Sequence, residues 1–334
     1  MVYNIGETKT HIMFHIQGVS MDNIASLLHE QELLSARIGK MIYGSVEIRE
    51  KNGKKILYVH FREDGISRTK YVGEYSQELV NVILENNNLV KQYKKRLKVI
   101  KKELGQLQYN SSRLDESVKI NIDLARRNLV DSIYKQAMLE GVATTYSDTE
   151  TIVNGGKVKD MTVTDITKVV NLKHAWEFIL GEGIISYPTN YAILCQINEL
   201  VEEGFSYTAG KLRSVPVTVG GTTYIPPLPF ESQVKENLDE LLSRDASYET
   251  AIELLLYVMK KQLFIDGNKR TAVIFANHYL ISRGMGLIVI PAEKINEYKK
   301  LLIDYYEKED PAIKIFLEEQ CLTKLNMDKT VENI

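Results

Sequence analysis

Apolar positions along this chain change spacing three times, and each change marks a different kind of element. Near the start, Ile24, Leu27, Leu28, Leu34 and Ile38 recur at helical intervals, which predicts a helix over Ser20–Ile38. The spacing then shortens to alternation, predicting strands at Gly44–Arg49, Ile56–Arg62 and Arg68–Val72. Lys51-Asn52-Gly53-Lys54 is a hairpin signal between the first two strands, and Glu63-Asp64-Gly65 supplies the second turn. Residues 1–75 thus read as a small mixed unit with a three-stranded meander.

Residues 76–110 carry the strongest periodicity. Leu79, Ile83, Asn86, Val90, Tyr93, Leu97, Ile100, Leu104 and Leu107 follow alternating steps of four and three. That seam predicts one long coiled-coil-like helix, with Asn86 as a polar position that sets register and a dimer through 79–107 as one way to cover it. The segment 91–102 holds Lys91, Lys94, Lys95, Arg96, Lys98, Lys101 and Lys102 with no acid among them. A solvated outer face is the favoured reading of this run, and a contact for nucleic acid or an acidic partner is the alternative.

Residues 111–334 form the main, mostly helical region. Ile166–Glu203 reads as helix, broken near Gly181–Pro188. Val215–Val219 and Thr222–Ile225 alternate around Gly220-Gly221, a second hairpin candidate that Pro226-Pro227 ends. Ala246–Lys261 and Lys269–Arg283 are apolar on most sides, which predicts two helices in the middle of a helical assembly. One or two further helices follow Pro291. The fold class expected is mainly α.

Composition changes this picture little. A net charge of −2 over 334 residues predicts no global attraction to nucleic acid or membrane. Cys195 and Cys321 are too few for a disulfide framework. The first residues lack a basic region followed by an apolar core, and no apolar run approaches the roughly 20 residues that span a bilayer. A soluble cytoplasmic protein is the expectation.

The densest chemistry lies at Gln262-Leu-Phe-Ile-Asp-Gly-Asn-Lys-Arg-Thr-Ala272. Asp266 offers a carboxylate for a hard cation such as Mg²⁺. Gly267 lets the backbone bend, and the N–H groups opening the next helix favour an anion. Asn268, Lys269 and Arg270 add donors at the same spot. Together these describe a cradle for a polyphosphate. Elsewhere, His11 and His15 share i, i+4 spacing without an evident third ligand, and His174 and His278 lie in apolar stretches that suit core-edge histidines.

The stretch resembles the signature of the Fic/Doc (Fido) family, His-x-Phe-x-Asp/Glu-Gly-Asn-Gly/Lys-Arg, at Phe264, Asp266, Gly267, Asn268 and Arg270. Gly210-Lys211-Leu212-Arg213 followed by Val217-Thr218-Val219-Gly220-Gly221 is similar to the family's Gly-x-x-Arg and flap hairpin, which pairs with the target segment. The resemblance covers about residues 130–290 and implies a Fic-like helical core with a small flap. It implies transfer of AMP, or of phosphate, from ATP to a Ser, Thr or Tyr hydroxyl of a protein, with ATP and Mg²⁺ as cofactors. In that scheme Asp266 holds Mg²⁺, Arg270 binds phosphate oxygens, the Asn268 amide fixes the phosphate, and the Gly267 and Asn268 N–H groups line the nest.

Four positions depart from the commonest family pattern. Gln262 stands where the family has the histidine that accepts the hydroxyl proton. An amide can orient a hydroxyl but cannot take its proton at neutral pH. A degenerate enzyme, a variant with another base or task, and an inactivating replacement all remain open explanations. Lys269 matches Doc-type members, which resemble phosphate-transferring kinases, so the group transferred stays open between AMP and phosphate. Met138-Leu139-Glu140-Gly141 resembles the end of the inhibitory motif Ser/Thr-x-x-x-Glu-Gly, yet Gln136 replaces its hydroxyl residue. Val273 replaces the arginine that the inhibitory glutamate pairs with. The leading expectation is a slow or impaired transferase. The alternatives are a catalytically silent nucleotide-binding interaction protein and a nucleic-acid-associated module acting through the basic helix.

Overall fold

The computed structural model describes residues 24, 26–31, 33–35, 37–39, 41–51, 53–63, 66–107 and 114–324. His11 and His15 lie outside the described residues, as do Asn52 and Asp64-Gly65 of the meander turns and the first residues of the predicted N-terminal helix. The chain divides into two compact units, Ser26–Asn110 and a larger one built on Ser111–Ile334.

In the smaller unit the described residues of 26–39 are helical (α1). Three antiparallel strands follow in the order β1 (Ser45–Lys51), β2 (Lys54–Glu63), β3 (Ile66–Glu74). They form the meander expected from alternation. Helix α2 runs unbroken from Gln77 to Gln106, its first turn capped by the Ser76 hydroxyl on Leu79 N–H at 3.1 Å. The seam does face inward, with Ile83, Val90, Ile100 and Leu104 buried. Its partner over the first turns is not another coiled-coil strand but the sheet: Ile83, Leu79 and Val80 pack on Leu57 and Val59. Asn86 has a correspondingly different task. Its amide donates to the Ile42 carbonyl at 3.0 Å, while Asn87 exchanges two hydrogen bonds with Gly44. The polar break in the seam therefore fastens the helix to the strand lead-in, because buried backbone groups there need partners. The meander and the long helix, separate regions in the sequence, share one core.

The larger unit is helical: α3 (Glu116–Arg127), α4 (Leu129–Leu139), α5 (Tyr146–Val153), α6 (Val163–Ile179), α7 (Glu182–Ile185), α8 (Tyr191–Val201), α9 (Glu231–Leu242), α10 (Tyr248–Lys261), α11 (Asn268–Ile281), α12 (Ile295–Lys308) and α13 (Ala312–Phe316). Every residue of α11 except Lys269 is buried, as expected of a helix apolar on most sides. Trp176, Phe264, Phe275, Tyr279 and Tyr298 are the largest fully buried side chains of this unit. A two-residue pair, β4 (Leu287–Ile288) with β5 (Leu322–Thr323), closes the C-terminal side. The buried Asn277 amide bridges the Ile288 N–H and carbonyl to α11 at 3.0 and 2.8 Å.

The flap differs from the expected ladder. Val215–Val219 and Thr222–Ile225 flank a turn closed by Thr222 N–H on the Val219 carbonyl at 3.2 Å, but these described residues form no strand pairing. Pro216 removes one N–H from the first leg, and Pro226-Pro227 supply none just past the second. The legs are held from below instead, as the site geometry explains.

Candidate functional site

Helix α10 ends at Gln262, which adopts the left-handed conformation at φ 46°. For a residue with a Cβ this costs roughly 1–2 kcal/mol, so the surroundings must over-determine it. They do. The Gln262 amide donates to the Met259 carbonyl at 2.6 Å, its side-chain oxygen accepts from the Asn268 amide at 3.2 Å, and its backbone carbonyl accepts from Arg213 Nε at 2.5 Å. Leu263 and Phe264 then plunge into the core and anchor the loop.

Arg213 is itself buried, and its guanidinium donates to backbone carbonyls. Nη1 donates to Val215 at 2.8 Å, Nη2 to Pro227 at 2.6 Å and Pro226 at 3.1 Å, and the Arg213 N–H donates to Leu263 at 3.0 Å. One planar fork thus ties both legs of the flap to the loop at Gln262. Burial lowers the pKa of this guanidinium from its usual value. On the second leg, Thr223 is held by the Glu307 carboxylate of α12 through its N–H and, at 2.8 Å, through its hydroxyl.

The turn that follows needs its glycine. Gly267 has φ 74°, and a Cβ there would stand 2.6 Å from Glu202 Oε1 and 3.1 Å from Val201 Cγ1. Its N–H donates to Asp266 Oδ1 at 2.6 Å. Asn198 of α8 braces the turn: its amide donates to the Asp266 carbonyl and to Thr271 Oγ1, both at 3.1 Å, and its oxygen accepts from Gly210 N–H at 2.9 Å. Asn268 is engaged within the loop itself. Its oxygen accepts from Phe264 N–H at 2.9 Å, and its amide donates to the Phe264 carbonyl at 2.8 Å as well as to Gln262. Both amide hydrogens are engaged, so in this state Asn268 staples the loop. The Gly267 N–H is likewise taken, by its neighbour's carboxylate.

Charges converge on Arg270. Its guanidinium is 4% exposed, with Nη2 at 2.7 Å from Glu202 Oε1 and 3.6 Å from Asp266 Oδ1, and Nε at 3.9 Å from Glu140 Oε2. Lys269 Nζ sits 3.3 Å from Glu140 Oε1. Arg270 Nε and Nη1 have no hydrogen-bond partner. Two orphaned donors on a buried guanidinium are costly unless a ligand oxygen meets them, which fits an anion at this position. Asp266, at 72% side-chain exposure, offers a carboxylate to a cation from outside. No cluster of three metal-binding side chains exists among the described residues, so a cation here would draw most of its ligands from a phosphate and water.

Glu140 reaches the site without an arginine at position 273. Val273 is buried in the core of α11, and Glu140 finds its cations in Lys269 and Arg270. Gln136, in place of the expected hydroxyl residue, fastens α4 to α11: its amide donates to the Arg270 carbonyl at 2.7 Å, and its oxygen accepts from Trp176 Nε1 at 3.0 Å. Gly141, at φ 74°, ends the helix behind Glu140.

Glu202 was not singled out in the sequence, where it reads as an ordinary helix-end acid. It is 3% exposed at the side chain and lies under the Gly267 turn. Burial pushes its carboxyl up to about 7, with Asp266 and Glu140 adding to the rise and Arg270 opposing it. Two other groups are excluded as proton acceptors. His278 is fully buried between Thr189 and the Ile184 carbonyl, and burial lowers it to about 4. Tyr306, beside Gln262, is pushed up by burial and stays a phenol.

Residues 188–280 match the sequence profile of the Fic/DOC family, and the flap and the signature both fall within that matched segment. No curated protein matches the chain. Among solved structures it is similar to Fic-1 from C. elegans, at 17% identity over 72% of this chain and 80% of that one, with a TM-score of 0.49. It is also similar to a Fic domain containing signaling protein from Bacteroides thetaiotaomicron, at 19% identity over 57% and 76% and a TM-score of 0.48. A Fic family protein from Desulfovibrio desulfuricans follows at 14% identity over 62% and 73%, with a TM-score of 0.44.

Proposed function

We propose that this chain is a Fic-type transferase in a shut state, which moves AMP or phosphate from ATP onto a hydroxyl of a protein substrate. The observation that carries this reading is the buried Arg270 guanidinium at the start of α11, with two donors unpartnered and Glu140 beside it. Asp266 would hold Mg²⁺, which when bound would neutralise phosphate charge. Arg270 would hold phosphate oxygens through Nε and Nη1. Three carboxylates (Glu140, Glu202, Asp266) face two cations (Lys269, Arg270), so an anion enters only when Glu140 swings off or a divalent cation comes with it. Lys269 thus has a double part in this reading, as the partner of Glu140 when the site is shut and as a phosphate ligand when it opens. The flap segment Val217–Gly221, clasped at its base by Arg213, would align the target hydroxyl beside Gln262.

Positioning without a base makes the chemistry slow. Gln262 spends both ends of its amide on Met259 and Asn268, and neither His278 nor Tyr306 can replace a histidine there. The same observation favours a second reading, a nucleotide-binding protein without transfer activity. Incubation of wild type, Gln262→His and Gln262→His/Glu140→Gly with ATP labelled at the α- or γ-phosphate tests both. The transferase reading expects the histidine variant to label protein roughly 10²–10⁴-fold faster, the gain a general base supplies, and more so without Glu140. An α-label identifies AMP transfer and a γ-label phosphate transfer. ATP binding that Arg270→Ala abolishes, with no labelling by any variant, would leave the silent reading standing.

A further inference from the structure

The smaller unit is charged quite differently from the rest of the chain. Residues 26–110 hold sixteen lysines and arginines against ten acids, a net +6, whereas the whole chain carries −2. The excess is concentrated on α2. Its one inward cation in this stretch, Arg96, is matched by Glu30 at 2.6 Å and Glu103 at 3.3 Å. Lys91, Lys94, Lys95, Lys98, Lys101 and Lys102 are all exposed on the face away from the seam. Lys94 lies over the Tyr43 ring at 5.0 Å, and the other five have no ion-pair partner among the described residues.

Such a stripe is costly to the helix that bears it. Lys91 with Lys94 and Lys95, Lys98 with Lys94 and Lys95, and Lys98 with Lys101 and Lys102 make six like-charge pairs at i, i+3 or i, i+4. At about 0.2–0.5 kcal/mol each they destabilise α2 by roughly 1–3 kcal/mol at low salt. The helix dipole offsets little, since its field fades beyond the last turn, which holds no basic residue. A ligand that brings negative charge to every lysine would remove the whole penalty.

The chemistry of the face narrows the ligand. Val99 is the one large apolar side chain exposed among residues 91–102. A protein partner would find no apolar centre for its anchoring residues, and a membrane surface no bulky row to insert. Tyr93, the only ring in the stretch, is half-buried in the seam, so no aromatic platform awaits unstacked bases. What remains is recognition by charge alone along a line. Lys91 to Lys102 covers about 16 Å at 1.5 Å per residue, which spans roughly five phosphates of one strand at 3.4 Å each. We propose that the outward face of α2 from Lys91 to Lys102 is a docking surface for the phosphate backbone of duplex nucleic acid, read by charge and not by base sequence.

The test is fluorescence anisotropy of the full chain with two labelled 20-base-pair DNA duplexes of unrelated sequence, between 50 and 200 mM salt. Both duplexes should bind alike, with log K falling against log salt at a slope of about −4.5, as roughly five phosphate contacts require. The variant Lys91→Gln/Lys95→Gln/Lys98→Gln/Lys102→Gln, which keeps Lys94 and Lys101, should flatten the slope to about −2 and lose most of the affinity at 50 mM. Glutamine is as good a helix former as lysine, and the repulsion is gone, so this variant should melt no lower than wild type. Wild-type affinity and slope in that variant would overturn the proposal, as would no binding at all. Tighter binding of a 20-nucleotide single strand would also overturn it. So would binding only to phosphatidylserine vesicles, which would assign the stripe to a membrane surface.

Discussion

Glu202 makes a prediction about stability that the rest of the site does not share. Its carboxyl titrates near 7 in the folded chain against an ordinary value of 4.5, because burial and two neighbouring carboxylates outweigh the pull of Arg270. The folded state therefore keeps this proton over a range in which the unfolded chain has lost it. Stability from this group is fully present below pH 4.5 and is lost as pH rises through 7. A shift of that size, at 1.36 kcal/mol per unit, corresponds to a loss of about 3 kcal/mol. Glu202→Gln cannot titrate and nearly keeps the shape. It should fall behind or match wild type at pH 4.5, because a neutral acid and an amide meet Arg270 similarly, and should gain on it by roughly 3 kcal/mol by pH 8. Urea unfolding of both proteins from pH 4.5 to 8, in EDTA to keep Asp266 free of metal, measures the difference directly. A wild-type-minus-variant difference that stays flat across that range would refute the account of Glu202 as a buried, proton-holding acid.

Arg213→Lys should destabilise the flap by about 2–4 kcal/mol, since a single compact ammonium cannot reach the four carbonyls that the three nitrogens of the guanidinium hold. Hydrogen exchange should then quicken in residues 214–227 and 262–264 and leave α11 protected; equal protection throughout would remove Arg213 as the clasp. Gly267→Ala should cost more than the roughly 1–2 kcal/mol of its left-handed backbone, because the new Cβ meets Glu202 Oε1 at 2.6 Å. The part due to that contact should vanish when Gly267→Ala is measured in a Glu202→Ala background, and additive losses would show that the two residues do not touch.

Local pattern carried far in this chain. The meander, the unbroken helix through Asn86-Asn87-Asn88, and the paired helices around Asp266-Gly267-Asn268 all follow from spacing and turn chemistry, which act over a few residues. The Fic/DOC profile falls where the signature and flap residues lie. Tertiary structure decided what those residues meet. The periodicity of α2 implied a buried seam, but an apolar row fits a sheet as well as another helix, and only the fold placed Leu57 and Val59 beneath it. Alternation around Gly220-Gly221 suggested a ladder, whereas a single buried guanidinium closes the flap through carbonyls that any residues would supply. Glu202 lies 68 residues before Arg270, and Glu140 lies 130 before it. No spacing rule links either to the site. The packing of α4 and α8 against α11 brings both carboxylates to one guanidinium, where removal from water turns an ordinary helix-end acid into a group that titrates near neutrality.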